Sequence, residues 1–247
     1  MNAILEVDRV SKAFGGLVAN KEITLRVPAG AIHGLIGPNG SGKTTLFNSI
    51  VGHHAVDRGS IRFDGREISR LRVTEIARLG LLRTFQQTRI YGGMTCMQNM
   101  VISVPTGELG WRSMFRKSPP SDVRRAEDLL HFVGLHPKRH ARARDLSFGQ
   151  QKLLEFAMAL MSSPRMLLLD EPTAGINPTL INALLDQLRK VNVQLGITLL
   201  VIEHNIRVIM DLAQYVYCLA HGELLAEGTP AQVRQDPRVL DAYLGAR

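Results

Sequence analysis

The sequence predicts an α/β fold with a mostly parallel core sheet, an N-terminal antiparallel β subdomain and a helical subdomain. Three short apolar runs, at 31–37, 166–171 and 197–204, are typical of buried parallel strands. The N-terminal part instead alternates apolar and polar residues, which indicates half-buried antiparallel strands. From about 87 to 164 the pattern becomes helical and rich in loops. Two kinds of sheet and a helical segment are therefore expected in one chain.

These parts are predicted to form a single domain, 1–247, with two lobes. The strand-rich lobe is expected at about 1–86 and 165–247, and the helical lobe at about 87–164. A chain of 247 residues with 45% hydrophobic and 21% charged residues can form such a core. Its longest apolar runs, such as 197–202, are far shorter than the ~20 residues of a membrane span, and its N-terminus lacks a signal-peptide pattern. We therefore expect a cytosolic protein that does not itself cross a membrane.

The individual elements follow from local patterns. The predicted strands, in chain order, lie at 3–10, 22–27, 31–37, 60–68, 166–171 and 197–204. A helix is predicted over 123–133, where Gly134 stops it. After residue 204 we expect a helix, a hairpin around His221-Gly222 and two short helices. The two short helices each have a capping residue before a first-turn proline, at Thr229-Pro230 and Asp236-Pro237.

Residues 37–44, "GPNGSGKT", match the phosphate-loop pattern G-x-x-x-x-G-K-[ST]. The match follows a predicted strand and precedes a helical segment, so loop N–H groups and the positive helix end would bind phosphate oxygens. Lys43 would reach the β and γ phosphates, and the Thr44 hydroxyl would hold Mg²⁺. This context makes a chance glycine-rich loop a poor alternative, although kinases, GTPases and motor ATPases share the motif. The residues assigned to the nucleotide are Gly37, Pro38, Asn39, Gly40, Ser41, Gly42, Lys43, Thr44 and Thr45.

Two acidic residues end the apolar run 166–171. Asp170 would hold Mg²⁺ through water, and Glu171 would orient or deprotonate a water that attacks the γ-phosphate. The alternative is a strand cap with two solvated carboxylates. The phosphate loop in the same chain favours the catalytic interpretation.

The order of the remaining motifs identifies a family. The phosphate loop is followed by Gln86 in "RTFQQ", the sequence "LSFGQ" at 146–150, the two acids, and His204 after the last apolar run. In this order the chain resembles the ATP-binding subunits of ABC transporters, from about residue 4 to 245. The resemblance implies the phosphate-loop ABC ATPase fold, hydrolysis of ATP, and ATP and Mg²⁺ as cofactors.

The resemblance also implies roles for single residues. Gln86 would contact Mg²⁺ and the attacking water, and His204 would steady the γ-phosphate. Phe14, in "VSKAF", matches the aromatic residue that stacks on adenine. The catalytic candidates are therefore Glu171, His204 and Gln86, and the candidate metal ligands are Thr44, Gln86 and Asp170.

"LSFGQ" corresponds to the family's signature sequence and starts a predicted helix at Ser147. In this family two cassettes pair head to tail, and each ATP lies between the phosphate loop of one chain and the signature of the other. Ser147, Gly149 and Gln150 would therefore bind the nucleotide of the partner. Because the chain has one copy of each motif, it requires a second cassette, identical or paralogous. Two positions depart from the common pattern: Phe148 replaces a second glycine, and Asn177 stands where many members have aspartate.

Several stretches resemble the branch that imports branched-chain and other hydrophobic amino acids. These stretches are "RTFQ" at 83–86 followed by 94–100, the "AGINP" loop at 174–178 and the tail at 227–245. The resemblance implies permease partners in the membrane, an indirectly coupled solute-binding protein, and a peripheral position on the cytoplasmic face of the inner membrane. Urea and amide importers share much of this pattern and are the nearest alternative. A soluble ABC ATPase acting on ribosomes or DNA usually has two cassettes or long coiled coils, and a phosphate-loop kinase leaves the signature unexplained.

The net charge of +8 raises the question of a nucleic-acid partner. The segment 111–145 has nine Lys or Arg against four Asp or Glu, so it could meet nucleic acid, anionic lipid or an acidic protein. Its aromatic residues are Trp111, Phe115 and Phe132, too few for a base-stacking platform. We expect no nucleic-acid partner.

The cysteine, histidine and methionine residues indicate function less clearly than the nucleotide motifs do. Cys96 and Cys218 are interpreted as reduced packing residues, and no transition metal is assigned to the eight histidines. Met94, Met97 and Met100 fit either core packing or an adaptable groove for a short helix of a membrane partner.

Overall fold

The computed structural model describes residues 3–84, 90–104 and 119–244. The chain divides into two compact units. The first comprises Met1–Arg83, Arg165–Thr173 and Leu188–Arg247, and the second comprises Thr84–Pro164 and Ala174–Gln187. The second unit thus takes in a stretch after the strand acids, beyond the 87–164 expected for the helical lobe. Gln86, a predicted catalytic and metal-binding residue, lies outside the described residues.

Among the described residues, strands predominate in the first part of the chain and helices in the middle, and single strands and helices alternate from residue 166 to residue 220. The strands are β1 (Ala3–Phe14), β2 (Leu17–Pro28), β3 (Ile32–Ile36), β4 (Arg58–Phe63), β5 (Arg66–Glu67), β6 (Leu81–Arg83), β7 (Met166–Asp170), β8 (Thr198–Ile202), β9 (Tyr215–Ala220) and β10 (Glu223–Gly228). The helices are α1 (Lys43–Ile50), α2 (Val73–Arg78), α3 (Cys96–Ile102), α4 (Pro120–Phe132), α5 (Phe148–Leu160), α6 (Pro178–Leu195), α7 (Ile206–Leu212), α8 (Pro230–Gln235) and α9 (Pro237–Leu244).

A four-stranded antiparallel sheet in the first unit has the order β2-β1-β4-β5. Ile23, Leu25 and Val27 of β2 are buried at every second position, which confirms the predicted half-buried strand. Register shifts in the β1–β2 pair, between Val7 and Lys12, interrupt the alternation. The alternating pattern therefore shows only part of each strand, and both β1 and β2 extend beyond the ranges predicted from the sequence.

A six-stranded sheet in the same unit has the order β10-β9-β3-β8-β7-β6. Its strands pair in parallel except for the antiparallel β9–β10 hairpin, so the predicted parallel core sheet is confirmed. Every residue of β3, β7 and β8 is buried, which explains why these strands are continuous apolar runs in the sequence. The carboxyl ends of β3, β7 and β8 lie at one edge of this sheet.

The core of the first unit joins both sheets to α1. Ile23 and Leu25 of the antiparallel sheet and Leu168 and Leu200 of the parallel sheet belong to one buried cluster with Phe47 of α1. Burying a side chain such as Phe47 contributes about 1.5–3 kcal/mol to stability. This packing fixes α1, and with it the loop that precedes α1.

Helices α3, α4 and α5 build the core of the second unit, where Cys96, Met100 and Leu154 are fully buried. The buried Met100 favours the core-packing interpretation for that methionine. Helix α4 begins at Pro120 rather than at the predicted residue 123, because a proline fits the first turn of a helix. None of the described helices is long and apolar enough to cross a membrane.

Candidate functional site

A cavity of about 650 Å³ in the first unit contains most of the predicted site residues. Small-molecule sites usually measure roughly 300–1,000 Å³. The predicted residues that line it are Phe14, Asn39, Gly40, Ser41, Gly42, Lys43, Thr44, Thr45, Glu171 and His204. Leu17, Val18 and His221 line it as well. Sequence reasoning missed these three, because isolated apolar residues and a lone histidine form no motif.

The loop at 37–44 connects the buried strand β3 to α1. Gly42 is the N-cap of α1 and has a left-handed backbone, with φ of 97°. A Cβ at this position would lie 2.3 Å from the carbonyl oxygen of Ala19, so only glycine fits. Gly42 offers no side chain to cap the helix, and the first-turn N–H groups of α1 are therefore suited to bind an anion.

Lys43 is buried within this loop. Its ammonium donates to the carbonyl oxygens of Gly37 at 2.7 Å and of Pro38 at 2.9 Å. Burial lowers the pKa of Lys43, while the carboxylates of Glu171 and Asp170 act in the opposite direction. A buried cation with carbonyl partners gains most from a ligand of negative charge. The charge of the loop thus favours phosphate.

Asp170 ends β7 as a buried carboxylate. It forms an ion pair with Arg83, whose Nη1 also donates to Oδ1 of Asn48 at 2.5 Å. Arg83, in the "RTFQQ" stretch, was not predicted as a site residue, because in the sequence only the glutamine of this stretch corresponds to a motif. Asp170 and the hydroxyl of Thr44 are oxygen ligands of the kind that Mg²⁺ prefers, so the residues present fit this cation.

Glu171 follows β7 with a left-handed backbone, at φ of 49°. Its N–H donates to the carbonyl oxygen of Ile202 at 2.9 Å, which continues the β7–β8 ladder by one bond before the chain turns. Its Oε1 lies 2.5 Å from Nε2 of His204. The structure therefore brings together two of the three predicted catalytic residues.

A buried carboxylate beside this pair ties two loops together. Glu203, next to His204, accepts hydrogen bonds from the N–H of Thr173 at 2.8 Å and from its hydroxyl at 2.6 Å. The loops after β7 and β8 are thereby held against each other. Glu203 was not a sequence candidate, because nothing local in the sequence indicates a partner thirty positions away.

Phe14 lies at the end of β1 with 45% of its surface exposed. Asp57 anchors this strand end by accepting from Nζ of Lys12 at 2.8 Å and from the N–H of Ala13 at 2.7 Å. The bond to Lys12 lowers the pKa of Asp57. The ring of His54 meets the Phe14 ring edge-on, with centroids 5.1 Å apart. The half-exposed ring of Phe14, at a strand end that Asp57 anchors, therefore suits stacking by a flat aromatic ligand.

The signature residues lie in the second unit, at the start of α5. Ser147 is the N-cap, as predicted: its hydroxyl accepts from the N–H of Gln150 at 3.4 Å. In return, Oε1 of Gln150 accepts from the N–H of Ser147 at 3.2 Å and from Nζ of Lys138 at 3.0 Å. A Cβ on Gly149 would lie 2.9 Å from Cδ1 of Leu180, so this glycine also allows close packing.

Phe148, the unusual residue of the signature, packs on the loop before α6. Gly175 in that loop has φ of 73°, and a Cβ there would lie 3.2 Å from Cε1 of Phe148. The Phe148 ring remains about half exposed. The aromatic residue therefore covers a position that has no side chain of its own.

Comparison with known families gives two matches. Residues 20–174 match the family described as "ABC transporter". Residues 223–247 match the family described as "Branched-chain amino acid ATP-binding cassette transporter". The first match covers more than half of the chain and includes the phosphate loop, the signature and the two strand acids.

Individual proteins are similar over the whole length. The chain is 38% identical to the high-affinity branched-chain amino acid transport ATP-binding protein BraF of Pseudomonas aeruginosa, with 98% of each chain covered. It is 36% identical to the probable branched-chain amino acid transport ATP-binding protein LivG of Archaeoglobus fulgidus, covering 99% of this chain and 96% of the relative. The crystal structure of the ADP conformation of MJ1267, an ATP-binding cassette of an ABC transporter, has a TM-score of 0.89 at 31% identity, covering 99% of this chain and 100% of that one.

Proposed function

The chain belongs to the ABC transporter family, and from this we propose that it binds and hydrolyses ATP to power an importer of branched-chain and other hydrophobic amino acids. The observation that carries the substrate class is full-length similarity to branched-chain amino acid transport proteins, together with the match at 223–247. The cavity in the first unit supports the nucleotide part of the proposal.

ATP would occupy this cavity with its base at Phe14 and its phosphates in the loop 37–44. The uncapped first turn of α1 and the buried ammonium of Lys43 favour phosphate oxygens. Phe14, Leu17 and Val18 provide the apolar surface that an adenine ring requires. All these residues belong to the first unit, so one chain would bind ATP without a partner.

Hydrolysis would depend on Glu171. Its carboxylate lies in the cavity beside His204, where it would orient a water and accept its proton, while the imidazole contacts the γ-phosphate. Mg²⁺, when bound, supplies positive charge that stabilises the charge developing on the phosphates. Asp170 and Thr44 would hold it, with Gln86 as the third ligand proposed from the family resemblance.

A second cassette would complete each site. Ser147, Gly149 and Gln150 start α5, whose N-terminal N–H groups would bind the γ-phosphate of the partner's ATP. The pair would be a homodimer or a paralogous heterodimer, docked on permease subunits at the cytoplasmic face of the membrane. A solute-binding protein would act on the same permeases from the other side.

We expect that deletion of the gene for this chain lowers high-affinity uptake of leucine, isoleucine and valine. Lys43→Ala should fail to restore uptake, because the phosphates lose their buried cation. Lys21→Ala is the matched control: this lysine forms a surface ion pair with Glu223 and should restore uptake fully. The measurement is initial uptake of radiolabelled amino acids at low concentration.

The deletion strain also distinguishes amino acid import from the nearest alternative function, which is import of urea or short amides. Unchanged uptake of all three amino acids, combined with loss of urea or short-amide uptake, would assign the chain to that other importer branch. Such a result would contradict the substrate class and leave the proposed ATPase activity standing.

A second prediction concerns the adenine platform. Phe14→Ala should weaken ATP and ADP binding about tenfold, since stacking on an aromatic ring contributes ~1–3 kcal/mol per base. Phe14→Tyr keeps the ring and should bind both nucleotides like the wild type. Titration calorimetry with the purified chain measures both variants, and equal affinity of Phe14→Ala and wild type would exclude Phe14 from the base site.

A further inference from the structure

Helix α9 reaches the first residue of the phosphate loop. The N–H of Gly37 donates a hydrogen bond to the hydroxyl oxygen of Tyr243, at 2.7 Å. Gly37 directly follows β3, whose last paired residue, Ile36, lies opposite Cys218 of β9. Tyr243 thus binds the chain at the point where the strand ends and the loop begins.

Gly37 has no room for a side chain. Its φ is 147°, and a Cβ at this position would lie 2.1 Å from the carbonyl oxygen of Leu219 and 2.7 Å from Oγ of Ser41. Its own carbonyl oxygen accepts from Nζ of Lys43 at 2.7 Å. Gly37 is therefore bound at its N–H by Tyr243 and at its C=O by the phosphate-binding lysine.

The hydroxyl of Tyr243, which accepts from Gly37, does not change its protonation state near neutral pH. Burial raises the pKa of Tyr243 to about 12, so the group stays neutral at physiological pH. Helix α9 is capped at its start, where Asp236 accepts from the N–H of Arg238 at 2.9 Å and pairs with its guanidinium at 2.7 Å. Val239 of α9 is buried. The tyrosine is therefore presented by an anchored helix rather than by a loose tail.

We propose that Tyr243 is a positioning residue of the phosphate loop, which holds Gly37 and, through the Gly37 carbonyl, the ammonium of Lys43. The C-terminal segment that starts with β10 and matches the branched-chain family at 223–247 would thereby set the nucleotide affinity of the cassette. The inference rests on the proposed binding of ATP at 37–44. Tyr243 is not placed in contact with the nucleotide and acts through the loop.

The test compares two tyrosines. Tyr243→Phe should raise the dissociation constants of ATP and ADP about three- to tenfold, the scale of one lost hydrogen bond. The matched control is Tyr217→Phe, because the hydroxyl of Tyr217 is also buried, with a pKa raised to about 12, and bonds the backbone of Arg26 at 3.1 and 2.6 Å. Both variants should melt at a lower temperature, but Tyr217→Phe should bind nucleotides like the wild type.

Equal affinities in the two variants and the wild type would overturn the proposal, as would an equal loss of affinity in both. Failure of the wild type to bind ATP would instead overturn the proposed function, so the two failures are distinguishable. Amide exchange followed by NMR gives a test that does not depend on a variant. In nucleotide-free wild type the Gly37 amide should exchange as slowly as that of Ile36, and exchange at the rate of an exposed loop amide would contradict the bond to Tyr243.

Discussion

Glu171→Gln should lower the rate of ATP hydrolysis at least about 100-fold, the usual contribution of a general base, and leave ATP binding intact. The glutamine amide can still accept from His204, whose Nε2 lies 2.5 Å from the carboxylate, but it cannot take a proton from water. The phosphate contacts proposed for Lys43 do not involve this side chain. ATP should therefore stay bound and trap the closed dimer, which gel filtration detects as a stable species of twice the mass.

The control for this variant is Glu223→Gln. It makes the same acid-to-amide change at an exposed ion pair with Lys21, outside the cavity, and should hydrolyse ATP like the wild type. Phosphate release under saturating ATP gives the comparison. Near-normal turnover of Glu171→Gln would remove Glu171 from its assigned role.

Two inactive variants should restore activity to each other. Lys43→Ala disables the phosphate loop, and Ser147→Arg disables the signature, so each homodimer has two damaged sites. In a mixed dimer one composite site has both lesions and the other has neither. Random mixing should therefore recover up to about a quarter of wild-type hydrolysis, since half of the dimers are mixed and half of their sites are intact.

Ser147→Arg also removes a helix cap, which costs about 1 kcal/mol, and needs a control for that effect. Thr229→Arg provides it, because Thr229 caps α8 with the same reciprocal bonds to Gln232. This variant should remain active as a homodimer. Absence of any recovery in mixed dimers that affinity tags have verified would contradict sites that are shared between chains and act independently.

The sequence allowed the sheets to be predicted where burial leaves a simple pattern. Strands β3, β7 and β8 are buried along their whole length and appear as unbroken apolar runs. Strand β6 has only three residues, too few for any periodicity, and was missed. Helix α4 was predicted three residues late, because the pattern shows its apolar face and not its proline start.

Site residues were predictable where they are neighbours in the sequence. The loop 37–44 and the pair Asp170 and Glu171 form contiguous motifs. Arg83 meets Asp170 across 87 positions, and Tyr243 meets Gly37 across 206. Such contacts arise from the strand order of the sheet and from the return of the chain in α9, which no local pattern records.

The left-handed backbone of Glu171 lowers the stability of the fold at a position where the proposed hydrolysis needs a carboxylate. An L-residue in this conformation costs about 1–2 kcal/mol relative to glycine, which adopts it freely. A chain selected for thermal stability alone would therefore drift towards glycine at position 171. Glu171→Gly should therefore relieve this backbone strain but remove the carboxylate that the proposed hydrolysis requires, so thermal stability and turnover should change in opposite directions at this one position.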